Sequence, residues 1–380
     1  MLRIRRTIAL LVILILLLIP VGCKNRQNNI NEDLIINSNN TTSDDSISIA
    51  EDPIIKDPIV EPEKLPETEE AYIKPKIISV DISSHHIVSL YSDGTVKAIC
   101  SDNSHRELNV IFWTNIVDIA AGQGFTIGLK EDGRVVGVGQ IDIVAFSVKK
   151  PRTRPVNINE IVADWHDIVA VYAGGGWVIG LKKDGTVNVA GNMYLKEIDL
   201  SEWHDIVDVS GNYSFIMGLR SDGTVVATGS IYREEFDKNT GYYVQKYSDA
   251  QDVFNDWHDI KLIAVGSNFA IGMQSNGKIV SYGSNRYGQL DTNEEWCDII
   301  AIAAGNGIAI GLKADGTVVS TGKIYYGERE PLIFLDVSEW CDIVAIDAGD
   351  IPIGVKSDGT LVEFGSIFFQ YLNVLDMNKL

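Results

Sequence analysis

The sequence predicts an all-β protein, a seven-bladed β-propeller with four strands per blade, carried on a disordered N-terminal stalk. Three observations lead there. A segment of about 40 residues recurs seven times, each copy holds Asp-Gly or Asn-Gly between extended β-branched runs, and no helical cap flanks the array. The chain of 380 residues suffices for such a domain of roughly 300 residues plus extensions.

The chain opens with Arg3, Arg5 and Arg6, followed by an uncharged run from Thr7 to Val21 that leads into Gly22-Cys23. A basic end, an apolar stretch short for a membrane span and a small residue before a cysteine have the layout of a secretory signal. Residues 1–23 resemble a bacterial lipoprotein signal, which implies acylation of the Cys23 sulfur and a new N-terminus there. Pro20 departs from that pattern, which usually has Leu three residues before the cysteine. An uncleaved membrane anchor is the other reading. Both attach the chain to a membrane and expect the remainder on its extracytoplasmic side.

Residues 24–76 change character. They hold 12 acids against 6 bases, five prolines (Pro53, Pro58, Pro62, Pro66 and Pro75) and neither glycine nor tryptophan. Such a segment cannot bury enough apolar surface to fold and is expected to be a solvated linker, reaching roughly 40 Å if coil-like. Of the formal charge of −20, three bases belong to the leader and a surplus of six acids to the linker, leaving −17 for residues 77–380. Phosphate binding needs clustered basic groups, so no nucleic-acid partner is expected. The 4 cysteines are too few for a disulfide-stapled scaffold.

The turn dipeptides of the repeat are Asp93-Gly94, Asp132-Gly133, Asp184-Gly185, Asp222-Gly223, Asn276-Gly277, Asp315-Gly316 and Asp358-Gly359. Five residues before each turn glycine stands Gly128, Gly180, Gly218, Gly272, Gly311 or Gly354, and in the first copy Ser89. Each copy starts with a short apolar run such as Asp167-Ile168-Val169-Ala170-Val171, suited to a strand buried on both faces. A second strand follows an Ala-Gly step, and the Asp-Gly pair reads as a type I′ hairpin turn. Thr-Val-Val-x-x-Gly gives a third strand. A fourth, less regular strand leads to Trp113, Trp165, Trp203, Trp257, Trp296 or Trp340. A blade cannot bury both faces alone, so seven close into a ring. The first copy begins at Ile77 without a tryptophan strand, and the spare segment Gln370–Leu375 is expected to be the C-terminal latch strand that completes it.

The pattern resembles the repeats of the regulator of chromosome condensation family. Tyr282-Gly283-Ser284-Asn285-Arg286-Tyr287-Gly288-Gln289-Leu290 is similar to that family's glycine-asparagine-glycine-glutamine signature. The resemblance spans residues 77–380, with the full signature in one copy, and implies the seven-bladed propeller. The eukaryotic namesake is a chromatin-bound nucleotide exchange factor, a role that does not suit an acidic, exported domain. Exported bacterial members are similar in being interaction platforms, one of them a propeller that inhibits beta-lactamases.

No nucleophile elbow, phosphate loop, HExxH or paired-cysteine ligand set occurs, and no catalytic residue, metal or cofactor is expected. His166, His204 and His258 repeat at one position, each before an Asp. A blade spacing separates them, so they read as corner contacts and not as ligands of one ion. Asp167, Asp205, Asp259, Asp298 and Asp342 are expected to hydrogen-bond exposed backbone amides. Cys297 and Cys341 occupy the histidine position in two copies and are expected to be unbridged, small buried residues.

Two features are candidates for partner binding. His86, Phe125, Trp177, Phe215, Phe269, Ile308 and Ile351 stand one per copy at the start of the second strand. They read either as an aromatic ring on one face, with Phe125, Trp177, Phe215 and Phe269 as anchors, or as core. The adjacent turn residues Gln123, Gly175, Asn212, Asn268, Asn306 and Asp350 are expected to be exposed and free to set specificity. Two long connections, Ile141 to Ala163 and Ile231 to Asn255, read as loops. The first carries Lys149, Lys150, Arg152 and Arg154, and the second Tyr232, Phe236, Tyr242, Tyr243 and Tyr247. The expected function is a non-catalytic, membrane-tethered protein-interaction module on the cell surface. The alternatives are a protein that binds or cleaves cell-wall or host polysaccharide, with aromatic rings stacking on sugars, and an inhibitor of a secreted hydrolase.

Overall fold

Each copy of the repeat folds as one antiparallel sheet whose strands follow in chain order, in a computed structural model that describes residues 74–83, 86–100, 107–145, 152–193, 196–239, 241–324 and 333–364. The first sheet comprises β1 (Ile77–Ile82), β2 (His86–Tyr91) and β3 (Val96–Cys100), and the second β4 (Ile116–Gly122), β5 (Phe125–Lys130), β6 (Val135–Ala145) and β7 (Arg152–Asn157). Helix α1 (Ile158–Val162) leads to the third, β8 (Ile168–Ala173), β9 (Trp177–Lys182), β10 (Val187–Met193) and β11 (Lys196–Glu197). The fourth holds β12 (Ile206–Gly211), β13 (Phe215–Arg220), β14 (Val225–Asp237) and β15 (Tyr242–Asp249), and helix α2 (Ala250–Phe254) follows. The fifth is β16 (Ile260–Gly266), β17 (Phe269–Gln274) and β18 (Ile279–Gly283). The sixth is β19 (Ile299–Ala304), β20 (Ile308–Lys313), β21 (Val318–Ile324) and β22 (Ile333–Phe334), and the seventh β23 (Ile343–Ala348), β24 (Pro352–Lys356) and β25 (Leu361–Glu363).

Four sheets therefore have the expected fourth strand and three do not, among the described residues. In the fifth, the segment after β18 folds back as a loop in place of a strand. Asn285 Oδ1 accepts from Leu290 N–H at 2.9 Å, and the buried Gln289 Oε1 accepts from Tyr287 N–H at 2.9 Å. The expected latch, Gln370–Leu375, lies outside the described residues.

The Asp-Gly hairpin differs from a type I′ turn. In all seven copies only the glycine has positive φ, from 77° to 87°, and its N–H donates to the carbonyl three residues back at 2.8–3.0 Å. This is a three-residue loop, a type I turn closed by a glycine bulge. The aspartate, or Asn276 in the fifth copy, serves the turn through its side chain: in every copy Oδ1 accepts the N–H two residues on at 2.8–3.1 Å. The Thr hydroxyls that donate to Asp93, Asp184, Asp222 and Asp315 hold those carboxyls below the usual range. Every first strand also carries a bulge one residue in, at Ile77/Ser79 in the first sheet and Ile343/Ala345 in the last.

The tryptophans explain the glycines of the second strands. A Cβ added to Gly128, Gly180, Gly218, Gly272, Gly311 or Gly354 would meet the tryptophan that leads into the same copy at 2.7–3.1 Å. The first copy has no such tryptophan and carries Ser89 instead. After each tryptophan the chain turns at Asn115, Asp167, Asp205, Asp259, Asp298 or Asp342, all at φ 56–60°, a conformation that Asn and Asp tolerate best after glycine. Their backbone carbonyls, and not their carboxylates, accept the amides of the hairpin turn at 2.7–3.2 Å, which corrects the role expected for these aspartates.

The core is divided among the joints between sheets. Val88, Leu90 and Val96 of the first sheet pack on Ile116 and Ile119 of the second, and similar clusters follow along the chain. At the far end Ile77, Val80, Ile82 and Ile87 of the first sheet share a buried cluster with Ile343, Ile353 and Val355 of the last. Ile82 N–H donates to Asp347 Oδ2 at 2.8 Å across 265 residues of sequence. A similar bond, two residues earlier in the first strand, runs from Val171 N–H to Asp118 Oδ2 at 3.0 Å between the second and third sheets.

Glu363 ends β25, where burial pushes its carboxyl up to about 7 from 4.5, and its Oε2 accepts no hydrogen bond among the described residues. Burial penalises the ionised form, so this penalty sets in as pH rises through about 4.5 and is full above 7. Glu363→Gln is expected to raise stability at pH 8 by about 1–2 kcal/mol, allowing for its partial exposure, with the gain vanishing near pH 4. Urea titrations at the two pH values check this, and equal midpoints at pH 8 would refute it.

Candidate functional site

The two long connections are not loops. Each third strand continues outward and pairs with a fourth, β6 with β7 from Gln140↔Asn157 to Ala145↔Arg152, and β14 with β15 from Ser230↔Asp249 to Asp237↔Tyr242. The aromatic and β-branched residues of both segments suit an extended, paired backbone. Between β14 and β15, Gly241, at φ 74°, donates its N–H to Asp237 O at 2.8 Å.

The root of this arm is locked into the core. Ile231, Ala250 and Phe254 are fully buried, and Phe254 packs on Phe215, Trp257 and Tyr282 with ring centroids 5.9, 4.9 and 6.2 Å away. Asp249 caps α2 by accepting from Gln251 N–H at 2.9 Å, and Gln251 Oε1 accepts from Ala227 N–H at 2.8 Å. Further out, Tyr232 and Tyr247 lie 5.3 Å apart across the pair. Burial, then the charge of Glu234, raises the Tyr232 phenol above its ordinary value. Glu235 bridges Arg233 and Lys246, and the Lys246 ammonium at 3.0 Å is the first cause of its lowered carboxyl pKa. Ser284 Oγ, just past β18, donates to Glu234 Oε1 at 2.9 Å and ties the arm to the neighbouring sheet. Toward the tip, Tyr242, Tyr243 and Tyr247 are 75%, 73% and 65% exposed. Phe236 is the register partner of Tyr243.

The ring of second-strand residues is core, which corrects the surface reading. Phe125, Trp177, Phe215 and Phe269 are at most 1% exposed, as are His86, Ile308 and Ile351. For three of them the cause is the glycine at the end of the first strand: a Cβ at Gly122, Gly174 or Gly266 would collide with the ring of Phe125, Trp177 or Phe269, so each of these aromatics folds down over its own glycine. Trp177 Nε1–H also donates to Asn212 O at 2.7 Å. In the first copy His86 fills the place, with Nε2 2.8 Å from Thr126 Oγ1.

The adjacent turn residues are only partly free. Gln123 and Asn306 are exposed, but Asn212 Nδ2 donates to Gly266 O, Asn306 N–H donates to Gly349 O at 2.8 Å, and Gln123 N–H donates to Gly174 O at 3.4 Å. These contacts stitch one sheet's turn to another's, so Asn212 does not vary independently of the fold.

The histidines stay apart. Nδ1 of His166, His204 and His258 lies 2.6, 2.8 and 2.7 Å from the following aspartate, at exposed corners. Cys297 is a free, exposed thiol, whereas Cys341 is disulfide-bonded, which corrects the expectation that both are unbridged, buried residues. Arg154 is exposed on β7, whereas Lys149, Lys150 and Cys23 lie outside the described residues. No helix among the described residues is long and apolar enough to cross a membrane.

One exposed feature escaped the sequence reading. Ile111 and Phe112 are 80% and 90% exposed immediately before Trp113. The residue before the tryptophan is acidic in the other five cases, Asp164, Glu202, Asp256, Glu295 and Glu339, so comparing that one position across copies would have found it.

A model of the regulator of chromosome condensation (RCC1) repeat matches residues 260–289, that is β16 to β18 and the loop after them. No curated protein matches the chain by sequence. Among solved structures, the chain is similar to the CRINKLY WD40 ectodomain of the Arabidopsis thaliana receptor kinase ACR4, with 17% identity, 77% of this chain and 98% of that one covered, and a TM-score of 0.50. It is also similar to the entire ectodomain of the Physcomitrella patens receptor kinase CR4, with 18% identity, 76% and 72% covered, and a TM-score of 0.51. A structure of Kap60 bound to yeast RCC1 (Prp20) is similar at 16% identity, with 74% and 80% covered and a TM-score of 0.49. The chain thus carries an RCC1-type repeat within an all-β, propeller-like fold.

Proposed function

We propose that the protein is a seven-bladed propeller closed into a ring, tethered to a membrane through an acylated Cys23 and the 24–76 linker, that binds a protein on the extracytoplasmic side. It works without catalysis. The arm β14–β15 is the binding element, and the observation that carries this is the exposure of Tyr242, Tyr243 and Tyr247 on paired strands whose root is fixed in the core. Aromatic side chains give large contact area at low entropy cost, and a scaffold that already holds them limits the ordering cost of binding. The buried cluster shared by the first and last sheets supports closure. The leader's layout supports the tether.

The test is capture from a cell-surface extract on the immobilised full chain, beside the Tyr242→Ala/Tyr243→Ala/Tyr247→Ala variant. A specific protein should be retained by the wild type, with affinity at least about 100-fold lower for the variant. A protein retained equally by both removes the arm from the reading. Retention of glycan fragments alone replaces it with polysaccharide binding.

A further inference from the structure

The four fourth strands differ in how their outer edges are treated. An unpaired edge offers a row of backbone donors and acceptors to any passing strand, and natural sheets blunt it with short strands, proline or charge. Here β11 and β22 are two residues long, and β7 carries Pro155 between Arg154 and Val156. Strand β15 has none of these protections. It is eight residues long, with neither proline nor glycine, its positions from Tyr242 to Tyr247 are all exposed, and no strand but β14 pairs with it among the described residues. Its one cation, Lys246, is already engaged by Glu235 at 3.0 Å.

Charge singles out the same element. Residues 77–380 carry −17, yet 231–248 hold Arg233, Lys238 and Lys246 against Glu234, Glu235 and Asp237 and are neutral. The eight register pairs make an arm about 25 Å long, more than twice the screening length of roughly 10 Å, so two copies meeting at their arms keep their acidic bodies apart.

We propose that the outer edge of β15 pairs antiparallel with the same edge of a second copy of this chain, forming a four-stranded ribbon. This rests on the reading of the arm as the contact surface and names its occupant. A two-fold axis normal to the ribbon keeps every side chain on its own face, so the axis passes through a residue. Centred on Gln245, it sets Tyr243 opposite Tyr247 of the second copy, and Val244 opposite its Lys246, each twice. Within each arm Tyr247 is already paired with Tyr232 and Tyr243 with Phe236. One row across the ribbon therefore reads Tyr232, Tyr247, Tyr243, Phe236, and symmetry repeats it on the other side of the axis. Cross-strand aromatic pairs stabilise sheets, and no like charges meet in this register. An edge this short buries less surface than a standard stable interface, so the association is weak in dilute solution and strengthens with local concentration.

The test is sedimentation velocity of the full chain in a mild detergent over a concentration series. Gln245 is exposed, its register partner is Glu234 and its Oε1 accepts from the Tyr247 hydroxyl at 3.0 Å; Gln245→Lys gives up that one exposed contact but keeps a charge partner across the arm, while placing two cations together on the axis. We expect a monomer–dimer equilibrium for the wild type, a dissociation constant raised about tenfold by Gln245→Lys and by Gln245→Glu, and recovery when the two variants are mixed. A wild type that stays monomeric throughout, or a dimer indifferent to both variants, overturns the proposal. If capture of another protein is lost with the tyrosine variant while no dimer forms, the arm remains the contact surface and only its occupant was wrong. If neither experiment responds, both readings fall.

Discussion

Trp177→Ala lowers the unfolding free energy by about 3–5 kcal/mol, the cost of removing a large aromatic from a packed core. Trp177 is 1% exposed, lies over Gly174, and its indole N–H donates to Asn212 O at 2.7 Å. Truncation leaves a cavity and an unpaired carbonyl together. Tyr243→Ala, at a side chain 73% exposed, should stay within about 0.5 kcal/mol. Urea unfolding followed by circular dichroism separates the two roles, and a cost below about 1 kcal/mol for Trp177→Ala would contradict a core position. The coupling to glycine gives a second readout. Gly174→Ala forces a methyl into the space of the indole, so in the double variant the two costs should fall short of additive by at least about 1 kcal/mol.

The joint between the last and first sheets is tested by Asp347→Ala, with an expected loss of about 1–3 kcal/mol. Its carboxylate accepts Ile82 N–H at 2.8 Å, and without it a backbone donor beside a buried hydrophobic cluster loses that acceptor. Asp118→Ala removes the same kind of contact, to Val171 N–H at 3.0 Å, at a joint between sequence-adjacent sheets. The two differ in what opens. Losing Asp118 loosens sheets that the chain still connects directly, whereas losing Asp347 frees the first sheet from an attachment made across 265 residues. Hydrogen exchange should therefore show β1 and β2 losing protection in Asp347→Ala while β12 and β13 keep theirs. Asp347→Asn retains an acceptor and should recover most of the loss. If Asp347→Ala left stability and exchange unchanged, the first sheet would not be held by the last.

What could be read from the sequence alone follows from local chemistry. Asp-Gly between β-branched runs specifies a hairpin wherever it occurs, and seven such signals at similar spacing specify seven sheets. The association of tryptophan with a glycine in the following strand was visible even in its exception, Ser89, in the copy without a preceding tryptophan. The turn type was misread because Asp-Gly suits both a two-residue and a three-residue loop. Backbone φ at the aspartate decides between them, and that depends on the pairing register of the strands. The long connections read as loops because, beyond the buried Ile231, Tyr232–Glu235 and Tyr242–Tyr247 mix polar and aromatic types on both faces, with no fully buried side to produce an alternating pattern.

Which aromatics are available to a partner was settled only by packing. Phe125, Trp177, Phe215, Phe269 and the arm tyrosines look alike as residue types, but the first four are buried in the joints between sheets, three of them over glycines, while Tyr242, Tyr243 and Tyr247 are largely exposed. Burial is a property of what the rest of the chain brings near a side chain, and a residue's own neighbours in sequence do not contain that information. The repeat determined the architecture. The assembled sheets decided which of its aromatic residues form the core and which remain at the surface.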